Sequence, residues 1–251
     1  SLHRLAKDIR KIHASLIEKP STANNLLCGL KAMFTHAATV GTWTGPNPLI
    51  DQATGKRLRP HHIASRTRYL SNAELKRVME AAAAEVAPWP DFFPLLLLTG
   101  VRQGSLKAAR WEEFDLEADQ PTWLLPTSKN GHPLLLPLMP TAADILRRRQ
   151  AAAKSEHVFP MKSDPTRPIA NVDLAWFRVR KAARVEGCRL HDFRRTNATI
   201  ATIGGATLQS VGRNLGHRSL STTQKVYAIA DLDNARQAAA LVEQQYREAT
   251  K

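Results

Sequence analysis

Hydrophobic residues recur every three or four positions over the first forty residues, the spacing that places them along one face of an α-helix. The recurring residues are Leu5, Ile9, Ile12 and Leu16 in a first stripe and Leu26, Leu30, Met33 and Phe34 in a second. Between the stripes Ser21 follows Pro20, and serine often begins a helix. The pattern predicts two packed helices between Leu2 and about Val40, the second beginning near Ser21.

The helical pattern stops from Gly41 to Tyr69, where Gly and Pro residues accompany many basic side chains. The basic residues are Lys56, Arg57, Arg59, Arg66 and Arg68, with His61 and His62 among them. This composition predicts an exposed linker. Its charges are either solvated or lie along a DNA backbone, and the basic character of the whole chain favours DNA contact by these lysine and arginine residues.

A second domain begins at the segment Ser71–Glu74, which has the spacing of a capping box at the start of a helix. Pro88 and Pro90 are expected to interrupt that helix, and another apolar helix then ends at Thr99-Gly100. Arg102 is thereby placed just after a glycine break, at the opening of the next helix.

The hydrophobic period changes between Thr122 and Leu138, where two apolar runs, Trp123–Leu125 and Leu134–Leu136, flank Asn130-Gly131. Asn-Gly between apolar runs is a strong signal for a tight β-hairpin. The pattern therefore predicts an antiparallel hairpin with Lys129 at its tip.

The chain after Thr141 is predicted to be helical. The helices begin near Thr141 and Asn171 and then span approximately residues 192–202, 207–214, 221–228 and 233–247. The predicted fold class is therefore mainly α-helical with a small antiparallel β-hairpin. We expect two domains, a partial helical domain with the basic linker at residues 1–65 and a second domain at residues 66–251.

The composition indicates that the protein binds a polyanionic partner. The 251 residues are 43% hydrophobic, enough for a globular core, and 36 Lys and Arg against 22 Asp and Glu give a net charge of +14. Nucleic acid is the partner that such an excess most commonly indicates.

Cysteine use and hydropathy favour a cytoplasmic protein. Cys28 and Cys188 fit no metal-ligand spacing and are expected to be buried thiols in a reducing compartment. The longest apolar run, around Phe92–Leu98, is too short to cross a bilayer, and no charged and apolar leader precedes it. The chain begins at Ser1 inside a helical pattern, so we expect it to lack an N-terminal part.

Four separated segments carry polar residues suited to phosphate chemistry. They read Thr99-Gly-Val-Arg102, Ser128-Lys-Asn-Gly131, His191-Asp-Phe-Arg194 and Leu215-Gly-His217, and the last is followed by Thr222-Thr-Gln-Lys-Val-Tyr227. Together they supply two arginines, a lysine, two histidines and a tyrosine. These are the groups that a phenol needs to attack a DNA phosphate without a metal.

The arginines and the tyrosine carry the central steps of that chemistry. Arg102 and Arg194 would neutralise the pentacoordinate phosphorane, and His191 shares a helix face with Arg194. Tyr227, two turns into a helix that a capping box at Ser221–Gln224 begins, is the predicted nucleophile. His191 is the predicted base that takes the phenol proton.

Two further residues complete the predicted set. His217 follows a helix end and would contact a nonbridging phosphate oxygen, and Lys129 would protonate the departing 5′ oxygen. Because a phosphotyrosine bond would store the energy of the broken phosphodiester, the reaction would require neither ATP nor a metal. The sequence agrees, since it contains no phosphate-binding loop, carboxylate cluster or Cys/His zinc pattern.

The same segments resemble the active-site boxes of the tyrosine recombinases, the phage-integrase family. The resemblance spans about residues 71–228 and implies the DNA breaking-rejoining catalytic fold of that family. The catalytic residues it implies are Arg102, Lys129, His191, Arg194, His217 and Tyr227. Residues 1 to about 65, which contain Thr22-Ala-Asn and Phe34-Thr-His-Ala, resemble the later part of the family's core-binding domain. Both domains together are implied to form a clamp around DNA.

The resemblance also implies a reaction and its partners. Family members cut one strand of each duplex through a 3′-phosphotyrosine link, exchange strands through a Holliday junction and work as tetramers on two synapsed sites. For this chain the resemblance implies double-stranded DNA attachment sites of a phage or other mobile element. It further implies a monomer when free, accessory DNA-bending or directionality proteins, and no membrane partner.

Two positions depart from the commonest family pattern. Ser105 stands where many members carry a glutamate, and its short side chain is expected to weaken the support of Arg102. Phe193 replaces a usual leucine. The Ala-rich C-terminal helix resembles the family tail that docks onto a neighbouring subunit, and the alternative is packing on its own domain. Its apolar face comprises Ala238, Leu241, Val242 and Tyr246.

Three other functions are compatible with parts of the sequence. A type IB topoisomerase uses the same tyrosine chemistry to relax supercoiled DNA, but that family usually has lysine where this chain has His191. A DNA-binding protein that has lost catalysis would lack some of the six catalytic residues, and all six are present. A metal phosphohydrolase built on His191-Asp192 would require further ligands that the sequence does not supply.

Overall fold

The computed structural model of the protein describes residues 2–63, 68–126, 133–215 and 228–250. Two compact units, Ser1–Thr67 and Arg68–Lys251, divide the chain. The predicted fold class is confirmed, because the described residues form helices and one small antiparallel sheet. Among these residues, no helix combines the length and the apolar character that a membrane span requires.

The first unit contains the two predicted helices, α1 (Leu2–Ser15) and α2 (Pro20–Thr39). The predicted start of α2 near Ser21 is confirmed to within one residue, because the helix begins at Pro20, whose fixed φ suits the first helical position and whose missing N–H is not needed there. The predicted stripe on α2 is partly wrong. Leu26 and Met33 are exposed, and the buried face consists of Ala23, Leu27 and Phe34.

The segment after α2 is more than the exposed linker that its composition predicts. Leu49 is buried together with residues of α1 and α2, and the indole of Trp43 packs edge-on against Phe34 with ring centroids 5.2 Å apart. The amide of Leu58 donates to the carbonyl oxygen of Leu49 at 2.8 Å, which closes an antiparallel turn between Ile50 and Arg57. Local composition does not reveal this fold, because it depends on apolar contacts with distant helices.

The end of this segment is tied to both helices by a second set of contacts. The side chain of Asn24 exchanges two hydrogen bonds with the backbone of His61, at 2.7 and 2.8 Å. The imidazoles of His61 and His13 stack with centroids 4.1 Å apart. The basic side chains that precede His61 are therefore presented from a folded base. Those that the structure shows exposed are Lys56, Arg57 and Arg59.

The second unit begins with α3 (Asn72–Ala83), and the predicted capping box at its start is confirmed. The hydroxyl of Ser71 accepts from the amide of Glu74, and the carboxylate of Glu74 accepts from the amide of Ser71 at 3.0 Å. The next helix, α4 (Trp89–Thr99), begins with Pro90 in its first turn and is buried from Phe92 to Thr99. This apolar helix forms the centre of the main core.

The predicted hairpin is part of a three-stranded antiparallel sheet. Its strands are β1 (Phe114–Asp115), β2 (Thr122–Leu125) and β3 (Leu134–Pro137), in the order β1-β2-β3. Leu125 pairs with Leu134 at the end of the hairpin, and β1 is an additional strand that the sequence pattern did not predict. The predicted hairpin tip, with Lys129, lies outside the described residues.

Six further helices complete the described part of the second unit. They are α5 (Gln103–Ala108), α6 (Pro140–Ala151), α7 (Asp173–Ala182), α8 (Leu190–Ile203), α9 (Leu208–Asn214) and α10 (Ala228–Thr250). A short 3-10 helix, Trp111–Glu113, precedes β1. The predicted helix at residues 221–228 lies outside the described residues except for its last residue, where α10 already begins.

Helix α10 packs on its own unit, against α3, α8 and α9. Val242 is fully buried, and the buried carboxylate of Glu243 accepts from the amide and the hydroxyl of Thr141 at 3.0 and 2.6 Å. The Glu243 carboxylate thereby satisfies donors in the first turn of α6, where backbone amides have no partner within the helix. Of the two arrangements that the sequence allowed for the C-terminal helix, the structure therefore shows packing on its own domain.

The two cysteines have different environments. Cys188 is fully buried, as predicted, and burial raises the pKa of its thiol to about 11. Cys28 is exposed, so the prediction that it is buried is wrong. Cys28 directly follows the buried Leu27, and neighbouring positions of a helix point in different directions.

Candidate functional site

The segment that leads into Arg102 is shaped by a glycine at the end of α4. Gly100 has a φ of 63°, the left-handed conformation that glycine adopts without steric cost. A Cβ atom at Gly100 would lie 2.7 Å from the side chain of Leu215 and 2.8 Å from that of Asn197. Glycine is therefore required at this position by both conformation and space. Arg102 follows as the half-buried N-cap residue of α5.

Arg194, on α8, joins two of the predicted segments through one guanidinium. Its Nη1 donates to the carbonyl oxygen of Gly100 at 2.9 Å, and its Nη2 donates to the carbonyl oxygen of Leu215. Gly100 precedes Arg102 by two residues, and Leu215 precedes His217 by two residues. Because a guanidinium has five N–H donors, these two bonds leave three for an anion.

The positive charge of Arg194 persists despite its burial. The residue is 6% exposed, and desolvation followed by the nearby charge of Arg102 lowers its pKa to about 10. A group with this pKa is protonated at neutral pH. Arg102 and Arg194 therefore place two positive charges close together, an arrangement that favours a doubly coordinated anion between them.

His191 lies one turn before Arg194 on α8, and its imidazole is exposed at the surface. Partial desolvation lowers its pKa, and the charges of Arg194, Arg195 and Arg102 lower it further against the opposing effect of Asp192. The imidazole is therefore neutral at pH 7 and able to accept a proton. The structure thus brings three of the six predicted residues together, Arg102, His191 and Arg194.

The two residues between His191 and Arg194 anchor the start of α8. The buried carboxylate of Asp192 accepts from the amide of Arg189 at 2.8 Å. Phe193 is fully buried, with its ring 5.2 Å from that of Trp176 and 6.1 Å from that of Phe93. The departure from leucine at position 193 is accommodated in this way, because the larger ring packs within an aromatic cluster.

The support of Arg102 differs from that of Arg194. Ser105 donates its backbone amide to the carbonyl oxygen of Arg102 at 2.9 Å, a bond that any residue except proline could make. Within the part of the chain that the structure describes, no hydrogen bond or ion pair engages the Arg102 guanidinium. The position of Arg102 therefore depends on its backbone.

Asn197 is a buried polar residue that sequence reasoning did not single out. It is 1% exposed, and its Nδ2 donates to the carbonyl oxygens of Leu97 and Leu98 at 2.8 and 3.3 Å. The only local signal was an asparagine within a helix, where this residue type is not favoured.

Of the other predicted site residues, some lie outside the described part of the chain and one, Arg68, forms an ion pair. Those that lie outside the described residues are Arg66, Lys129, His217 and Tyr227. Arg68 is engaged by Glu74 through two hydrogen bonds of 2.6 and 2.9 Å, which lower the pKa of the Glu74 carboxyl to about 2. A DNA phosphate would have to compete with this carboxylate, so the predicted DNA contact of Arg68 stays a prediction.

Across residues 2–63, 68–126, 133–215 and 228–250, no three His, Cys, Asp or Glu side chains come together as a metal site would require. His191-Asp192 accordingly has no third ligand of these types within those ranges.

Comparison with known proteins adds independent information. The sequence model described as the phage integrase family matches residues 68–233. The integrase of Salmonella phage P22 is 25% identical over 183 residues, which cover 68% of this chain and 46% of that protein. The shufflon-specific DNA recombinase of Escherichia coli is 26% identical over 212 residues, which cover 82% of this chain and 51% of that protein. The chain thus spans about half the length of these curated relatives.

A solved structure shows the same fold. The lambda integrase tetramer bound to a Holliday junction superposes with a TM-score of 0.65 at 20% identity, covering 88% of this chain and 66% of that chain. The mainly helical second unit with its small antiparallel sheet therefore has a fold already known in a protein that was solved on DNA.

Proposed function

Since this chain belongs to the phage integrase family, we propose that it is a site-specific DNA recombinase that cuts and rejoins DNA through a 3′-phosphotyrosine intermediate. The observation that supports this most directly is the Arg194 guanidinium, which bonds Gly100 and Leu215 while Arg102 lies close enough to lower its pKa. Two neighbouring guanidiniums that are positively charged at neutral pH suit the extra negative charge of a phosphorane.

The proposed cleavage step balances as a transesterification. The phenol oxygen of Tyr227 forms a bond to phosphorus, and its proton passes to His191, whose lowered pKa keeps it neutral and ready to accept. The bond from phosphorus to the 5′ oxygen breaks, and Lys129 gives this oxygen a proton. Arg102 and Arg194 stabilise the phosphorane, and His217 donates to a nonbridging oxygen. Rejoining is the reverse sequence with a 5′ hydroxyl as nucleophile, so no ATP or metal enters the balance.

The proposed partners are double-stranded DNA attachment sites and further copies of the chain. The net charge of +14 supports a DNA partner, and Lys56, Arg57 and Arg59 are exposed on the first unit, which we assign as part of a core-binding domain. Lambda integrase forms a tetramer on a Holliday junction, and we propose the same assembly here, from a monomer when free. Accessory DNA-bending or directionality proteins and a cytoplasmic location belong to the same proposal.

A plasmid assay distinguishes recombination from topoisomerase activity. The substrate is a supercoiled plasmid that carries two copies of the DNA flanking the gene, because integrases commonly lie beside their attachment sites. We expect the full-length protein to produce recombinant circles that depend on both copies. Relaxed plasmid without recombinants, formed equally on a plasmid that lacks the flanking DNA, would favour the topoisomerase alternative.

The role of His191 leads to a prediction about pH. The pKa of His191 is lowered below the usual histidine value of about 6.5. Its neutral form is therefore available over a wider pH range, and cleavage should decline only when the pH falls below about 6.5. His191→Gln should lower the cleavage rate by about 10²- to 10⁴-fold and remove this decline. Single-turnover cleavage of DNA from about pH 5 to about pH 9 would measure both effects.

The control for this experiment is His36→Gln, since His36 lies on α2 in the first unit. That variant should keep the wild-type pH profile. If His191→Gln retained the same decline at low pH, another group would have to be the base.

A further inference from the structure

Asn197 lies one turn beyond Arg194 on α8, at a position where a polar side chain is fully enclosed. Its Nδ2 donates to the carbonyl oxygens of Leu97 and Leu98 in the last turn of α4. The last four carbonyl groups of a helix have no amide partner within that helix. Asn197 therefore satisfies two acceptors that would otherwise be buried without a partner.

The same side chain also contacts the glycine that ends α4. A Cβ atom at Gly100 would lie 2.8 Å from both Cγ and Oδ1 of Asn197, so the amide group rests directly against the glycine backbone. The carbonyl oxygen of Gly100 is held in turn by Arg194. Three successive points of the chain, at Leu97, Leu98 and Gly100, are thus fixed from one face of α8.

These contacts end two residues before Arg102. The guanidinium of Arg102 has no hydrogen-bonding partner among the described residues, and position 105 offers only the short side chain of serine. The placement of Arg102 relative to Arg194 therefore depends on where the backbone leaves α4. Asn197 and Arg194 are both on α8. This helix therefore carries Arg194 directly, and it positions Arg102 by holding the backbone that precedes it.

We propose that Asn197 is a positioning residue for the DNA cleavage proposed above, acting through Gly100 on Arg102. Removing its amide would leave two buried carbonyls unsatisfied and a space beside Gly100, and the segment that carries Arg102 would shift. A displacement of about 1 Å in a catalytic group can cost about 10²-fold in rate. The inference rests on the proposed function, since it assigns a role within the same site.

The test measures covalent protein–DNA product on nicked duplexes made from the DNA that flanks the gene. Asn197→Ala should lower the single-turnover rate of adduct formation by roughly 10- to 100-fold, while DNA affinity in a gel-shift assay changes by less than about threefold. Thr196→Val is the matched control, because Thr196 is also buried on α8 and bonds Leu70 and Asp192 instead of the end of α4. It should leave the rate within about threefold.

A double-mutant comparison separates positioning from a general loss of structure. In an Arg102→Lys background, Asn197→Ala should lower the rate by less than about threefold, because the group that Asn197 positions has already been altered. Equal losses in both backgrounds, or an equal loss from Thr196→Val, would overturn the inference. If circular dichroism shows that Asn197→Ala is unfolded, Asn197→Ser is the second variant and carries the same expectations.

The outcomes also separate this inference from the proposed function. A wild-type protein that forms no adduct would overturn the proposed function and the inference with it. A wild-type adduct together with an unchanged rate for Asn197→Ala would overturn the inference alone.

Discussion

Replacing Tyr227 by phenylalanine is expected to abolish the covalent protein–DNA adduct, with a loss of roughly 10⁴-fold or more in cleavage rate. Phenylalanine keeps the ring but lacks the oxygen that would bond to phosphorus, so the proposed intermediate cannot form. DNA binding should persist, because the arginines and the basic surface are unchanged. The loss should therefore appear in chemistry and not in affinity.

The measurement uses a nicked duplex made from the flanking DNA. Cleavage releases a short fragment that diffuses away, and its loss prevents rejoining, so the covalent adduct accumulates. The chain contains three tyrosines, so each of the other two provides a control. Burial raises the pKa of Tyr246, which makes its phenol a poor nucleophile, and Tyr69 precedes the capping box of α3. Tyr246→Phe and Tyr69→Phe should trap DNA as the wild type does. Equal trapping by Tyr227→Phe would remove this residue from the mechanism.

Arg194→Lys is expected to lower the cleavage rate by about 10³-fold or more, although it conserves the charge. A lysine has one nitrogen, which cannot reach the carbonyl oxygens of Gly100 and Leu215 and also bind a phosphate. The desolvation that lowers the pKa of Arg194 to about 10 would act on lysine as well, and lysine begins from a lower value. Both the geometry and the charge of the site would therefore weaken.

Single-turnover cleavage by Arg194→Lys should be compared with that of Arg148→Lys. Arg148 forms an ion pair with Asp91, and its own side chain is 66% exposed, so the same chemical change there should alter the rate by less than about twofold. Thermal unfolding would show how much of the Arg194→Lys effect comes from lost stability. A rate within tenfold of the wild type would contradict the role given to the Arg194 guanidinium.

The contacts of Arg194 illustrate which parts of the site could be predicted. The resemblance of four short segments to a known family predicted Arg102, His191 and Arg194 as site residues, and the structure brings these three together. The resemblance could not show which residues hold this part of the chain in place. Asn197 was not predicted, because its hydrogen-bond partners lie 99 and 100 residues earlier in the chain and no local pattern reports them.

Local chemistry was sufficient for several elements of the fold. The capping box of Ser71 and Glu74 and the end of α4 at Gly100 depend on hydrogen bonds and backbone angles of neighbouring residues, so the sequence alone determined them. The hairpin followed from the change of hydrophobic period around Asn130-Gly131, which is again a property of adjacent residues.

Tertiary structure decided the features that depend on burial between distant segments. It placed Leu49 in the core of the first unit and docked α10 on its own unit through Glu243 and Thr141. It also joined Gly100 and Leu215 through Arg194. A buried polar group must find a partner wherever the folded chain offers one, and that partner is set by packing and not by sequence distance. The sequence therefore predicted which groups would perform the chemistry, and the packing of α8 against the end of α4 decided how Arg194 and the chain before Arg102 are held.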